Sequence, residues 1–511
     1  MAIVHPDSAL RRAVNRVRLS DVIAGSSVAL VLVPQSLAYA QLAGLPPYRG
    51  LYAAAVAPIA AALFSSSPYL QPGPTAVTAL LTFGALAPIA AVGGKRYVEL
   101  ALLLAVIVGV IRILVGLLRL GVVAYLMSHS VLAGFVPAAA IVIIASQLPV
   151  ALGTATHGTN ALTEVWTALA HPGRWSWAAI VLSLLITALL LLGRRLHPLF
   201  PSVLVAVVLG IVYASLVGVP TLSSAPVHFP PLSFKLPWGS TWSLLVPGVV
   251  IAFVGFAEAA SLARTFAAQD RRAWNPNREW IAQGAANVAS GAFGGPPVGA
   301  SFSRSSLNRI AGAETAFSAV VAGVIVLLLL PAAPVLTHLP NAALATIVIV
   351  SVAPLINVRP LLELLRYSRI QFGAAAATFA ATLALSPHVE RGVLVGVVLA
   401  IAIHLWKELD VDIRSWGEGD VVHLQPLGVL WFGSAHRIDG ELLRLLREHP
   451  DARRVVVHMG GLGRTDISGA LALRNLLLDA EAAGLSVRVE GVHPRSRPFV
   501  SRVLGPWLGG D

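Results

Sequence analysis

Along residues 21–406, mostly apolar runs of about 20 residues follow one another, each long enough to cross a ~30 Å hydrocarbon core. The pattern predicts about fourteen α-helical spans, near 21–43, 49–65, 75–93, 98–118, 130–152, 175–193, 200–217, 244–268, 279–293, 303–312, 315–336, 341–357, 370–386 and 389–406. After Trp406 the period changes. VVHLQPLGVLWFG alternates as strands do, ELLRLLREH is an amphipathic helix, and RRVVVHMGG is a buried strand. The helix ALALRNLLLDAEAAG and the strand LSVRVEGV follow, which predicts a small α/β domain. The expected organisation is an N-terminal segment over 1–20, a membrane domain over 21–407 and a C-terminal domain over 408–511.

Two spans break the apolar pattern in the same way. The third begins YLQPGPTAVTALL and the tenth GGPPVGASFSRSSLN; both are short, Gly/Pro-interrupted at the start, and third in a set of seven. Paired short, interrupted spans in matching positions of two halves point to the binding site of an inverted-repeat transporter.

Composition supports the membrane reading and charge orients it. The 511 residues are 56% hydrophobic and 12% charged, about half the charged fraction of an average soluble chain, and mean hydropathy is +0.78. Residues 408–511 hold 14 acidic and 12 basic side chains, net −2, leaving 24 basic and 10 acidic, net +14, on the membrane part. Those basic residues lie in short loops between spans, where they orient a membrane protein rather than bind nucleic acid. Arg11, Arg12, Arg16, Arg18, Arg194, Arg195, Arg271, Arg272, Arg278, Arg359, Arg366 and Arg369 fall on the N-terminal side. Arg49, Lys95, Arg96, Arg174, Lys235 and Arg391 fall opposite. With an even number of spans, both termini are expected in the cytoplasm. The first 22 residues lack a signal-peptide apolar region and cleavage site, so the N-terminus is expected to stay uncleaved. There are no cysteines, hence no disulfide and no cysteine-held metal. Arginine far outnumbers lysine, which fits a GC-rich bacterial genome and a bacterial cytoplasmic membrane.

The two broken spans carry the candidate chemistry. A helix starting near the midplane exposes unpaired backbone N–H groups and a positive dipole end, a ready anion site. Thr75 on one side and Ser301, Ser303 and Ser305 on the other offer hydroxyl donors, and Arg304 offers a fixed planar cation suited to oxyanions. Packing is the competing explanation for Gly295, Gly299 and Ser306, and snorkelling to an interface for Arg304. Charges inside a membrane are costly and usually face a polar cavity, which favours function for Ser303 and Arg304. Glu258, in VVIAFVGFAEAASLARTFA, is the one acid well inside a span. It must be paired, hydrated or protonated, so a structural partner such as Arg264 competes with a role in proton or cation coupling. In the first span Gln35, Tyr39 and Gln41 recur at helical spacing as cavity-lining candidates, with packing as the alternative. His5, His129, His157, His171, His197 and His228 are scattered without ligand spacing. No metal cluster, phosphate loop or nucleophile triad appears, so neither an enzyme nor a cofactor is expected.

VPQSLAYAQLAGLPPYRGLYAAAVAPIAAALFSSSPYLQPGPTAV resembles the signature region of the SulP family, solute carrier family 26. WIAQGAANVASGAFGGPPVGASFSRSSLNRIAGAETAFSAVVAG resembles its second conserved block, and GRTDISGALALRNLLLDAEAAGLSVRVEGVHP the turn, helix and strand of a STAS domain. The resemblance covers nearly the whole chain. It implies a seven-plus-seven inverted repeat divided into a mobile core and a gate domain, a homodimer, and elevator-like movement of the core. Carried over by position, the family's anion site falls on Gly73, Pro74 and Thr75 and on Ala300, Ser301, Phe302, Ser303 and Arg304, with Tyr39 lining it. Glu258 matches the acid of coupled members. Sodium-coupled bicarbonate carriers of the family add hydroxyl groups near that acid; Leu262 stands one turn on here, which tilts the expectation from sodium to protons. Glu314, in GAET, departs from the usual basic residue. Ser468 holds the place phosphorylated in anti-sigma antagonist relatives, against the simpler reading of that turn as a helix cap.

The sequence thus predicts a proton-coupled secondary transporter of an oxyanion: sulfate by family default, with bicarbonate and dicarboxylates such as fumarate as alternatives. Two rivals stand beside it. A nucleobase permease of the same architecture requires acids in both the eighth and tenth spans. An anion channel or a membrane-anchored STAS-dependent sensor is the other.

Overall fold

The computed structural model describes residues 18–121, 129–154, 160–196, 200–221, 229–408, 412–431, 435–494 and 496–509. Arg11, Arg12, Arg16, His5, His157, His197 and His228 lie outside the described residues, as does nearly all of the N-terminal segment. The chain divides into two compact units, residues 1–398 and 399–511.

The first unit is helical apart from two dipeptide strands. Its elements are α1 (Leu19–Leu42), α2 (Tyr48–Ala62), β1 (Pro72–Gly73), α3 (Ala76–Leu86), α4 (Lys95–Leu117), α5 (His129–Ala151), α6 (Ala161–Ala170), α7 (Trp177–Leu196) and α8 (Ser202–Val217). After these come α9 (Thr241–Gln269), α10 (Pro276–Ala292), β2 (Gly299–Ala300), α11 (Phe302–Ile310), α12 (Phe317–Leu329), α13 (Asn341–Val352), α14 (Arg359–Tyr367), α15 (Arg369–Ala384) and α16 (Val389–Glu408). Each apolar run read from the sequence falls on one of these helices. Among the described residues, six helices are long and apolar enough to cross a membrane alone, and four more are apolar but shorter. The third span ends at Leu86 rather than near residue 93, because residues 87–94 turn before Lys95. The short helices α6 and α14 lie in segments read as loops. In α14 an amphipathic RPLLELLRY leaves Leu362 and Leu365 exposed.

The helices pack in two sets. α1 to α4 pack with α9 to α12, most closely through α4 on α10 and α12 on α1 and α2. α5 to α8 pack with α13 to α15, led by α5 on α15 and α13. Each set therefore draws one stretch from each half of the chain. Small residues bring α4 and α10 together: a Cβ at Gly109 would stand 2.7 Å from the Gly284 carbonyl, and one at Gly284 2.8 Å from that of Gly109. With no hydrophobic drive between helices in lipid, such close backbone approach is what holds a bundle. α1 meets the second set through α13 and α8.

In the second unit β3 (Asp412–Glu418) and β4 (Val421–Leu430) form an antiparallel hairpin. β5 (Arg454–His458) and β6 (Leu462–Thr465) pair parallel with β4, and β7 (Ser486–Glu490) pairs parallel with β5. α17 (Ala435–Glu448), α18 (Ile467–Ala482) and α19 (Arg497–Leu504) complete it. Val422, Leu424, Val455 and Val457 of the sheet and Leu442, Leu445, Leu473 and Leu477 of the helices form one core. This is the α/β domain the period change predicts; β3, β6 and α19 are additions to it.

Candidate functional site

The two interrupted spans meet. β1 and β2 form an antiparallel ladder with Pro72 opposite Ala300 and Gly73 opposite Gly299. Because the strands run in opposite directions, α3 and α11 leave the ladder from opposite ends, and both positive helix termini converge on it. The sequence causes this locally. Gly294, with φ +85°, ends α10 in a conformation that suits glycine. Pro296 and Pro297 then prevent helix from resuming until Ser301. On the other side Pro72 and Pro74 do the same until Thr75.

Each helix start is capped by its own hydroxyl. Thr75 accepts from the Thr78 amide and Thr78 closes the capping box, their hydroxyl oxygens 2.9 Å apart. Ser301 accepts from the Arg304 amide at 3.5 Å and lies 3.2 Å from the Ser303 hydroxyl. The first-turn amides of Ala76, Val77, Phe302 and Ser303 have no intrahelical acceptor and remain as donors. Ser305 is tied to β1 as an acceptor: its hydroxyl oxygen accepts from the Gln71 amide at 3.1 Å, which fixes the approach to β1 and leaves its O–H to donate.

Arg304 is the centre of the arrangement. Its side chain is fully buried, and Nη1 donates to the Gln35 carbonyl oxygen at 3.1 Å. Nε and Nη2 are buried with no hydrogen-bond partner. Nη2 points to β1, where a Cβ on Gly73 would come within 3.2 Å of it. A guanidinium that keeps two donor nitrogens unsatisfied away from solvent carries a cost that an oxyanion would remove. Tyr39, also buried, lies within electrostatic reach of Arg304 and of Glu258. Phe302 and Ser303 are exposed, Phe302 at 68%. Gln41 lies apart from this cluster, donating to Asn341 at 3.2 Å where α1 meets α13.

Glu258 faces the same region from α9. Among the described residues it makes no hydrogen bond, and the cation acting on it is Arg112, not the neighbouring Arg264. Arg112 was legible by the same signal as Glu258, a lone charge in an apolar run, yet sequence reasoning passed over it. Its guanidinium is fully buried and donates to the carbonyls of Ala252 (3.1 Å), Ile251 (3.1 Å) and Val298 (3.0 Å). Asn287 holds Val298 from the other side, accepting from its amide at 2.9 Å and donating to its carbonyl at 3.0 Å.

Glu258 is half-buried. Asp21 and Glu279 are fully buried, each in the first turn of a helix, where helix-end acids are easily read as exposed. Asp21 accepts from the amides of Glu314 and Thr315 and from the Thr315 hydroxyl. Glu314 itself pairs with Arg18 and accepts from Ser20. Glu279 accepts from the amides of Ser66 and Ser67 and the Ser65 hydroxyl. Where these segments end, Tyr69 and Arg309 both bind Asp270, at 2.6 and 2.7 Å. The Tyr69 hydrogen bond, helped by Arg309, holds the Asp270 carboxyl below the usual carboxylate range. In the second unit Asp466 caps α18, accepting from the Gly469 amide at 2.6 Å, and Ser468 stands exposed in the first turn.

α11, FSRSSLNRI, offers no acid to hydrogen-bond a base, against the nucleobase rival. Comparison with known proteins agrees. A profile described as Sulfate permease family matches residues 19–378. A protein of Mycobacterium tuberculosis named "Probable sulfate transporter" is 36% identical over 397 residues, covering 76% of this chain and 70% of its own. Among solved structures, that titled "The overall structure of SLC26A9" superposes with a TM-score of 0.87 at 18% identity, over 95% of this chain and 86% of that one. The transmembrane domain of a cyanobacterium bicarbonate transporter, BicA, superposes with 0.64 at 22% identity, over 75% and 97%. These two likenesses establish the shared fold, that of a multi-pass helical membrane protein. The chain belongs to the sulfate permease family of anion transporters.

Proposed function

We propose that the chain is a secondary active carrier of an oxyanion, held between the starts of α3 and α11 and moved together with a proton. The observation that carries this is the buried Arg304 with two unsatisfied donor nitrogens beside the β1–β2 ladder. Gly73, Pro74, Thr75, Ala300, Ser301, Phe302 and Ser303 shape the site, and Tyr39 and Gln35 line it from α1. Glu258, half-buried near an opposing cation and without a hydrogen bond among the described residues, is the proton carrier. Sulfate is the first substrate, by the name of the mycobacterial relative; bicarbonate and fumarate follow. The helix set holding both half-helices is one body and the set around α5, α13 and α15 the other. Movement of the first against the second is the elevator step. The working form is a homodimer in a bacterial cytoplasmic membrane, with both termini and a STAS-type C-terminal domain in the cytoplasm.

The test is uptake of radiolabelled sulfate, bicarbonate and fumarate into proteoliposomes, with and without an inward proton gradient. Arg304→Ala is expected to abolish uptake while leaving a folded protein; unchanged uptake sinks the site. Glu258→Gln is expected to abolish accumulation driven by the gradient while anion binding persists; full accumulation sinks the coupling role.

A further inference from the structure

Arg304 and Glu258 account for an anion and a proton, yet the second fully buried guanidinium of this helix set has so far no task. We propose that Arg112 is a positioning residue of the anion site, tying the strand that launches α11 to the helix that carries Glu258 and fixing how much positive charge the site offers. The inference rests on the function proposed above.

Two independent observations carry it. The first is the hydrogen-bond geometry. Arg112, on α4, reaches the Val298 carbonyl immediately before β2 and the Ile251 and Ala252 carbonyls inside α9. Those α9 carbonyls already accept helix hydrogen bonds, so nothing in the helix itself requires a guanidinium there. An arginine used only as packing would be an expensive choice, since a neutral side chain of similar volume satisfies the same space without a buried charge. What the fork does supply is a fixed link from β2 to the helix of Glu258, through three bonds set by one planar group.

The second observation is the space kept for it. A Cβ at Gly255, one turn before Glu258, would lie 2.5 Å from Arg112 Nη2 and 3.4 Å from the Thr78 methyl. Gly255 therefore admits the guanidinium between α9 and the first turn of α3. Through Val298 it touches the launch of α11, and at Gly255 it shares a neighbour with Thr78, the partner of Thr75. Arg112 thus stands near both half-helix starts without lining the gap itself.

The charged groups on the packed elements are few. α9 brings Glu258 and, on its exposed face, Arg264; α11 brings Arg304 and Arg309; and α10 brings the exposed Arg278 and the buried Glu279. Arg309 is engaged with Asp270 and Glu279 with the 65–67 loop. Arg112, Arg304 and Glu258 are left to set the charge around the gap. Their sum is one positive charge with Glu258 ionised and two with it protonated, so a divalent anion is matched when a proton is present. Without Arg112 each value falls by one, and the preference moves to monovalent anions.

The experiment measures binding of radiolabelled sulfate, fumarate and bicarbonate to the purified full chain between pH 5 and 8, with melting temperature as the folding control. Arg112→Met is expected to weaken divalent binding at least tenfold and to shift the ratio towards bicarbonate. Arg112→Lys, which keeps the charge and loses the fork, is expected to weaken binding of all three while keeping their ratio. Gly255→Ala displaces the guanidinium without changing charge and is expected to behave as Arg112→Lys. It also serves if Arg112→Met fails to fold. Wild-type affinity, ratio and pH profile in folded Arg112→Met, or in Gly255→Ala, overturn the proposal. Arg304→Ala run beside them separates the two failures. If Arg304→Ala loses binding and the Arg112 and Gly255 variants do not, only the role of Arg112 falls. If Arg304→Ala binds normally, or the wild type binds none of the three probes, the site reading falls and this inference with it.

Discussion

The starts of α3 and α11 are built from the same parts, a Gly/Pro-broken strand followed by a hydroxyl cap, and they are finished differently. At α3 the first turn is buried throughout and neutral, and Thr75 and Thr78 spend their hydroxyls on each other. At α11 Phe302 and Ser303 are exposed, Ser301 makes a long cap, and Arg304 turns inward with donors to spare. On the function proposed above, one start is scaffold and the other the partner that would meet the anion. Duplicated architecture need not duplicate chemistry: the ladder needs both strands, but a single anion needs one fixed charge.

That asymmetry can be broken at its contact point. Gly73→Val puts a side chain into the space beside Arg304 Nη2 from the scaffold side, and displacing a binding group by about 1 Å can cost ~100-fold. Sulfate uptake is expected to fall by that order with the melting temperature nearly unchanged; a folded, active variant would mean that the gap does not lie there. A smaller effect separates the two caps. Thr75→Val removes a cap worth about 1 kcal/mol and leaves Thr78 without its partner, so it is expected to lower the melting temperature more than it raises the half-saturation concentration. Ser301→Ala is expected to do the reverse, raising that concentration several-fold. Equal effects on both measures would dissolve the distinction between the two starts. The smallest effect concerns what holds them at a distance. Asp270 has a depressed carboxyl in the fold, so the bond it gives Arg309 and Tyr69 is present above the unfolded value of about 4 and is lost as pH falls through the lowered folded value. Protection of residues 305–312 from hydrogen exchange, after correction for the intrinsic pH dependence of exchange, is expected to fall on acidification in the wild type and to stay constant in Asp270→Asn; the pair is partly exposed, so the change is slight.

How much of this was legible varies with the kind of signal. The apolar runs, the period change after Trp406 and the two broken spans are local patterns, and each gave the right element. The convergence of QPGPTAV and GASFSRS was open to inference because positional symmetry stands in for tertiary contact. Arg112 carried the correct signal, a charge in an apolar run, but its acceptors are backbone carbonyls 139 to 186 residues away, which no side-chain pattern marks. Asp21 and Glu279 were hidden for a different reason. An acid in the first turn of a helix reads as a surface residue favoured by the dipole, and nothing in the sequence shows that a loop folds over it. Gln41 shared helical spacing with Gln35 and Tyr39, but spacing alone did not reveal that its amide meets Asn341. Ser305 sat among the candidate donors, and only the fold shows that Gln71 uses it.

The β1–β2 ladder is two residues long, but hydrogen-bonded strands keep a separation of about 4.8 Å. It therefore works as a ruler. The two helix starts cannot be spread or squeezed one residue at a time, because the distance between them is a property of backbone pairing rather than of any side chain. Selectivity among anions of different size must then be adjusted by what is attached to the ruler, at Gly73, Ser301, Ser303 or Arg304. An engineer who wants a larger cargo should trim the side chains of Ser301 and Ser303 and leave the ladder and Arg304 alone.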